Sequence, residues 1–354
     1  MNKLLTPYTK GALQLKNHLV MAPMTRSRAI GNLPNELMAA YYAQRTGAGL
    51  IITEGTAPSP DALGYSRIPG IFSPQQTIAW KTVTDIVHAG GSKIFVQLMH
   101  TGRIGHQDNL PAGARLVGPS TIKAAGEIWT DTAGNQPYSI PEALTDEDIQ
   151  NVIAEHVQAA HNARKAGFDG VELHGANGYL TEQFLNPHVN NRTDHWGGSV
   201  ENRARFAIRV VQAMASAIGA DKVGVRFSPY STLGDLQPYD RQEVHDTYAL
   251  LAKELDKTGI AYLHIGMSAA IPQKTLDAIR DGFTGTIILC NGLTPETAEK
   301  ALEAGFADLV AFGRAFLANP DLDKRIADSA ALSQPDYNTL YTPGSVGYTD
   351  YPAL

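Results

Sequence analysis

Short apolar runs, spread evenly along the whole chain, constrain its fold more than any other feature. Candidate strands are residues 18–22, 49–54, 93–98, 169–173, 222–227, 261–265, 285–290 and 308–312. Most are too continuously apolar to have a wet face, the pattern of parallel strands covered on both sides. Helical stretches lie between them at 35–47, 74–89, 201–218, 241–258, 272–281 and 295–304. A further one opens at the cap-like Thr145-Asp146-Glu147-Asp148 and ends at Gly167, with Ile149, Val152, Ile153 and Val157 on one stripe. Gly259, Gly282 and Gly305 suit helix C-termini, and Pro295 suits a first helical position.

Eight strands, each followed by a helix, is the count of an α/β fold of the (β/α)8 TIM-barrel type. A doubly wound sheet is the competitor, but the even spacing and the lack of an early GxGxxG argue against it. The 354 residues suffice for one such barrel with insertions, so 1–354 is expected to be a single domain. Residues 101–144, after the third strand, form a long excursion rich in Gly, Pro, Thr and Asp, expected to fold partly over the barrel mouth. Residues 331–354 show no helical stripe and read as a C-terminal tail.

A net charge of −6 offers no electrostatic reason to expect nucleic acid or an anionic membrane as partner. The single cysteine, Cys290, excludes an intrachain disulfide and reads as a buried strand thiol. No stretch approaches a membrane span and the first residues lack an apolar signal core, so a cytoplasmic location is expected. Neither HExxH spacing, a thiolate set, a GxSxG elbow nor a Walker loop is present, and no metal is expected.

In such a barrel the chemistry sits at the C-terminal strand ends. The fourth candidate strand runs into His174-Gly175-Ala176-Asn177-Gly178-Tyr179. His174 and Asn177 can hydrogen-bond a carbonyl or nitro oxygen, and the Tyr179 phenol can give up a proton. The other strand ends supply Pro23-Met24-Thr25, Gly55, Gln97, Arg226, Asn291-Gly292 and Gly313-Arg314. Glycines after strands seven and eight, beside a helix start, make the phosphate site common in these barrels. Each residue has a plainer reading. Arg226 could pair with a barrel carboxylate such as Glu172, Gln97 could satisfy loop backbone, Tyr179 could be a packing residue and Thr25 a turn residue. Convergence of all of them on one barrel end favours a planar heteroaromatic cofactor with a phosphate tail.

These motifs resemble the Old Yellow Enzyme family of FMN-dependent ene-reductases. The resemblance is carried by Met21-Ala22-Pro23-Met24-Thr25-Arg26, Gln97-Leu98-Met99-His100-Thr101-Gly102-Arg103, His174 to Leu180, Asn190 to Asp194, Gly197 to Arg203 and Phe312-Gly313-Arg314, and it runs nearly the full length. It implies FMN, tightly but non-covalently held by Pro23, Met24, Thr25, Gly55, Gln97, Arg226, Asn291, Gly292, Phe312, Gly313 and Arg314. It implies NADPH or NADH as reductant and small activated alkenes as substrates. His174 and Asn177 would grip the substrate oxygen and Tyr179 would protonate Cα, with Tyr65, Met99 and Tyr341 lining the pocket. It also implies a monomer or homodimer. Met99 stands where many relatives carry tryptophan and is expected to open or reshape the pocket.

Related reductions of quinones, nitrate esters or nitroaromatics are the alternative on the same scaffold, and a non-catalytic flavin-binding redox sensor is a more distant one. A barrel aldolase or isomerase would need a lysine or carboxylate at a strand end, whereas Lys93 and Lys222 sit at strand beginnings.

Overall fold

The computed structural model describes residues 3–354. Eight parallel strands close a barrel in chain order: β1 (Leu19–Met21), β2 (Leu50–Ile52), β3 (Lys93–Leu98), β4 (Gly170–Gly175), β5 (Val223–Phe227), β6 (Tyr262–Gly266), β7 (Thr286–Cys290) and β8 (Leu309–Phe312). Pairing of Val310 with Leu19 closes the ring. Because successive side chains of a strand face opposite sides, each strand builds two layers. Leu19, Ile51, Val96, Val171, Val225 and Leu263 point outward and pack under the helices. Val20, Leu50, Ile52, Phe95, Tyr262 and Ile288 fill the interior.

A hairpin of Tyr8–Lys10 with Leu13–Leu15 plugs the barrel at its N-terminal end. Tyr8, Leu13 and Leu15 join the interior cluster, and the Tyr8 hydroxyl lies 2.8 Å from Thr286 Oγ1 at the start of β7. Neither strand, Tyr8-Thr9-Lys10 or Leu13-Gln14-Leu15, presents a continuous apolar run, so the hairpin was not legible in the sequence.

Helices Pro74–Ala89 and Asp146–Lys165 open with reciprocal caps, Ser73 with Gln76 and Thr145 with Asp148. Gly259 ends helix Arg241–Thr258 at φ +72°, the left-handed turn that glycine favours. Gly282 instead closes its helix from inside, and extended Phe283 follows it. One helix, Leu180–Leu185, was not legible. All six of its residues are buried, including the polar Thr181, Glu182 and Gln183, so no exposed polar face sets off an apolar stripe.

The 101–144 excursion folds into two small sheets, Val117–Gly118 with Glu142–Ala143 and Glu127–Thr130 with Gly134–Pro137. It is tied down rather than loose. Buried Arg103 donates to the carbonyls of Asp235 (2.7 Å) and Gly234 (3.2 Å), and Asn109 to that of Gly64 (3.0 Å).

The tail is likewise fixed. Arg28 donates to the carbonyls of Leu340, Thr339 and Val346 at 2.7, 2.8 and 3.1 Å, and Arg26 to that of Gly347 at 2.7 Å. Tyr348 is fully buried and stacks on Tyr41, centroids 4.1 Å apart. A segment without periodicity is held by three arginines, the third being Arg45, which donates to the carbonyl of Tyr348 at 3.4 Å.

Candidate active site at the barrel mouth

Toward the C-terminal ends of the strands the interior turns polar. Register places Gln97 beside Glu172, His174 beside Arg226, and Arg226 beside His264, all on inward positions. Glu172 is fully buried. It accepts from Gln97 Nε2 at 2.8 Å and lies 2.9 Å from His264 Nδ1. Burial pulls the His264 ring down, but the Glu172 charge together with hydrogen bonds to Glu172 and Cys290 outweighs it and holds the ring above its usual pKa.

Arg226 therefore does not pair with Glu172, whose partners are Gln97 and His264. Its Nη2 reaches only Cys290 Sγ, at 3.8 Å, and its Nε has no partner although the side chain is buried. Orphaned buried donors are rare and point to an absent acceptor. Cys290 is buried, as expected; burial raises its thiol, yet the neighbouring guanidinium and His264 lower it further than burial lifts it.

His174, Asn177 and Tyr179 come together above this layer. His174 Nδ1 accepts the Ala176 N–H at 3.3 Å. Burial, Arg226 and His264 hold the ring well below its usual pKa. A neutral ring that accepts at Nδ1 carries its proton on Nε2, so His174 is a neutral donor. Its ring meets the Tyr179 ring edge-on at 4.8 Å. The Tyr179 hydroxyl donates to Tyr65 at 3.1 Å, and burial pushes its pKa up to about 12. The Asn177 carboxamide makes no hydrogen bond to any described residue. Asn177 and Gly178 have φ of +59° and +82°, so two successive left-handed residues turn the chain between clamp and phenol.

The remaining predicted residues ring this cluster. Thr25 follows β1, half-buried, with no side-chain partner among the described residues. Pro23 is buried and Met24 half-buried; the Met24 sulfur lies against Gly313, where a Cβ would meet it at 3.4 Å. Gly55 sits on Met99, whose sulfur would lie 2.5 Å from a Cβ there. Met99 itself is 1% exposed and packs with Ala57, Ala62, Leu63 and Ile68 beneath Tyr65 and Tyr179. It shapes the site from below rather than facing open space. Tyr341 is exposed at the rim and lies close enough to Tyr179 to raise its pKa. Asn291, Gly292 and Arg314 are exposed at the ends of β7 and β8, and a Cβ on Gly292 would meet nothing within 4 Å. Phe312 and Arg314 line a cleft of about 770 Å³ with Leu293, Thr294, Ser333 and Gln334.

The chain matches the family model described as the NADH:flavin oxidoreductase / NADH oxidase family over residues 3–333. It belongs to that family, the Old Yellow Enzymes. Among curated relatives, 12-oxophytodienoate reductase 1 of Oryza sativa subsp. japonica is 43% identical over 99% of this chain and 93% of its own length. The corresponding figures for 12-oxophytodienoate reductase 2 of Arabidopsis thaliana are 40%, 99% and 96%. Among solved structures, morphinone reductase in complex with tetrahydroNAD superposes with a TM-score of 0.95 at 43% identity, covering 99% of this chain and 97% of that one. An Old Yellow Enzyme homologue from Zymomonas mobilis gives 0.94 at 39%, covering 99% of each.

The protein is thus an FMN-dependent oxidoreductase reduced by a nicotinamide. The residues present fit that cofactor. Arg226 offers an unpaired buried donor on the barrel axis, Thr25 a hydroxyl with no partner, and Gly292 and Gly313 backbone that can approach a phosphate closely. No helix of the described residues is long and apolar enough to cross a membrane.

Three buried partners of the site carried no motif. His264 is a polar residue inside the apolar run Tyr262–Gly266, a signal that was available in the sequence. Ser228 and Glu182 left none, because they act on backbone N–H groups rather than on a ligand.

Proposed function

We propose that this enzyme reduces the carbon–carbon double bond of alkenes conjugated to a carbonyl or nitro group, using NADPH or NADH in a ping-pong cycle. The observation that carries the reading is the trio at the end of β4: a neutral His174 donating from Nε2, an unpartnered Asn177 carboxamide and a Tyr179 phenol held protonated. Pro23, Met24, Thr25, Gly55, Gln97, Arg226, Asn291, Gly292, Phe312, Gly313 and Arg314 would hold FMN. When bound, FMN supplies hydride transfer from the nicotinamide and onward to the alkene.

His174 Nε2–H and the Asn177 amide grip the substrate oxygen and stabilise the negative charge that grows on it as the alkene is reduced. Two neutral donors do this without offering the oxygen a stray proton. Arg226, whose buried Nε has no partner, would stabilise negative charge on the flavin. Tyr179 delivers its proton to Cα, which gives trans addition when the hydride arrives on the opposite face. Tyr65 accepts the Tyr179 proton in a hydrogen bond at rest and so keeps the hydroxyl aimed. Tyr65, Tyr341 and, from beneath, Met99 bound the substrate space. Relatives named for reduction of 12-oxophytodienoate and of morphinone support a reductase of small organic molecules.

The test is spectroscopic. The purified protein is expected to be yellow, to bleach anaerobically with NADPH or NADH, and to regain colour with 2-cyclohexenone or a nitroalkene. A protein that bleaches but ignores enones, maleimides and nitroalkenes refutes alkene reduction.

A further inference from the structure

Behind the oxygen clamp lies a buried carboxyl group that the mechanism above does not use. Glu182, in helix Leu180–Leu185, is 3% exposed and makes no ion pair with any described residue. Its Oε2 accepts the Gly178 N–H at 2.7 Å. Its two oxygens accept the Ser228 hydroxyl at 2.9 and 3.1 Å, and its Oε1 also accepts the Tyr248 hydroxyl at 3.1 Å. Ser228 Oγ in turn accepts the Asn177 N–H at 2.9 Å.

The carboxyl group therefore holds, directly or through one hydroxyl, both peptide N–H groups of the left-handed Asn177-Gly178 corner. That corner is held in an uncommon conformation. Asn177 is left-handed without being glycine, and a Cβ at Gly178 would lie 2.3 Å from the Leu233 carbonyl. Asn and Gly both enter the left-handed region at little cost, so the contacts made to their two N–H groups can decide whether the corner is held there. The corner also sets the reach of the two groups that matter, the Asn177 carboxamide just before it and the Tyr179 phenol just after.

We propose that Glu182 is a positioning residue for the reaction: its carboxylate, with Ser228 as relay, fixes the Asn177-Gly178 corner so that clamp and proton donor meet the substrate together. The inference rests on the alkene-reductase reading for its chemistry, although the positioning is measurable without turnover.

The ionised form is the one that fits. Every group around Glu182 comes to it as a donor, so a protonated carboxyl must turn a hydroxyl round and give up an acceptor. Burial pushes the Glu182 pKa up to about 7, opposed by the Gly178 N–H, Ser228, Tyr248 and the Arg226 charge. The titratable groups facing it are Arg226 from β5, Tyr248 from helix Arg241–Thr258 and Tyr239 from the connection before it. A cavity of about 200 Å³ lined by Glu182, Tyr230, Tyr239 and Tyr248 provides a route for proton exchange. Clamp and donor should thus become ordered as pH rises through neutrality.

The experiment uses the FMN-loaded full chain, its Glu182→Gln and its Ser228→Ala variants, from about pH 5.5 to 9. Two quantities are followed: the rate at which 2-cyclohexenone reoxidises the reduced flavin, and the affinity for phenol read from the flavin spectrum. 2-Cyclohexenone does not titrate in that range, and phenol affinity is read as the ratio of parent to Glu182→Gln at each pH, which cancels the ionisation of phenol itself. The parent's reoxidation rate, and its phenol affinity relative to Glu182→Gln, are expected to gain about tenfold through one step near pH 7. Glu182→Gln should run along the lower plateau with no step, and Ser228→Ala should keep a step of reduced height. FMN content should be unchanged in both. A step that survives in Glu182→Gln, or a Glu182→Gln variant at the parent's upper plateau, overturns the proposal. A step that survives would point instead to Glu54, also held at about 7 by burial. If phenol shows the step and its loss while no alkene is turned over, positioning stands and the alkene-reductase reading fails.

Discussion

Tyr179→Phe removes one oxygen and little else. The ring keeps its edge contacts with His174 at 4.8 Å and Tyr65 at 6.1 Å, so the pocket should hold its shape. What is lost is the acid. Burial keeps the Tyr179 proton in place up to about pH 12, and the neighbouring His174 Nε2–H belongs to a neutral ring that is a poor acid. A positioned general acid contributes roughly 10²- to 10⁴-fold. Tyr65, with its hydroxyl 3.1 Å from the missing one, can act as a substitute donor, which favours the lower end. We expect alkene reduction to fall about 100-fold, equivalent to about 2.7 kcal/mol of barrier. Stability should fall by only about 1 kcal/mol, for one hydrogen bond to Tyr65. Stopped-flow spectroscopy separates the two half-reactions. Bleaching by the nicotinamide should keep the parent's rate, and recolouring by an enone should carry the whole loss. Adding Tyr65→Phe should deepen the loss if Tyr65 is the substitute. Equal slowing of both half-reactions, or no slowing of either, refutes the assignment of Tyr179 as the proton donor.

His174→Ala and Asn177→Ala should each weaken binding of phenols, whose oxygen mimics an enolate, by about 10- to 100-fold, the worth of one hydrogen bond to a charged oxygen; an unchanged flavin titration would count against the clamp. Arg28→Ala removes donors from the carbonyls of Thr339, Leu340, Gly344 and Val346, leaving the last two without another side-chain donor among the described residues, and should cost on the order of 3 kcal/mol in a urea midpoint and open residues 339–347 to protease. A variant as stable and as protease-resistant as the parent would show the tail to be merely draped. Glu54 is buried with its carboxyl raised to about 7, so between the unfolded value near 4.5 and about 7 the folded state binds more protons. Stability should therefore fall as pH rises through that window, and Glu54→Gln should flatten the fall by an amount on the order of 1–3 kcal/mol. Parallel denaturation curves for parent and variant between pH 5 and pH 8 would exclude this role.

The repeating pattern of the chain was legible because it is local. Strand β3 and helices Pro74–Ala89 and Arg241–Thr258 lie where their apolar runs and caps place them, and the other barrel strands differ by a residue or two. The barrel followed from that repetition, since parallel strands with apolar faces on both sides need helices outside and a filled interior. The residues at the mouth were legible for the same reason: each lies in the last residues of a strand or just after it. Burial and partnership were not. Arg226 could be read as a partner of Glu172 until the register brought Gln97 and His264 to that carboxylate first. That Met99 is 1% exposed and packed against Gly55, in one cluster with Tyr65 and Tyr179, could not be read from the sequence. The tail lacked any periodicity because side chains from Arg26, Arg28 and Arg45, about 300 residues away in sequence, hold its backbone carbonyls.

Sequence alone determined the order and spacing of the strands, and hence which residues arrive at the mouth of the barrel. Tertiary structure decided their chemical states. Whether His174 is neutral, whether Tyr179 keeps its proton and whether Glu182 is ionised depend on burial and on charges brought in from other strands and helices. Those quantities exist only once the chain has closed on itself and water has been excluded.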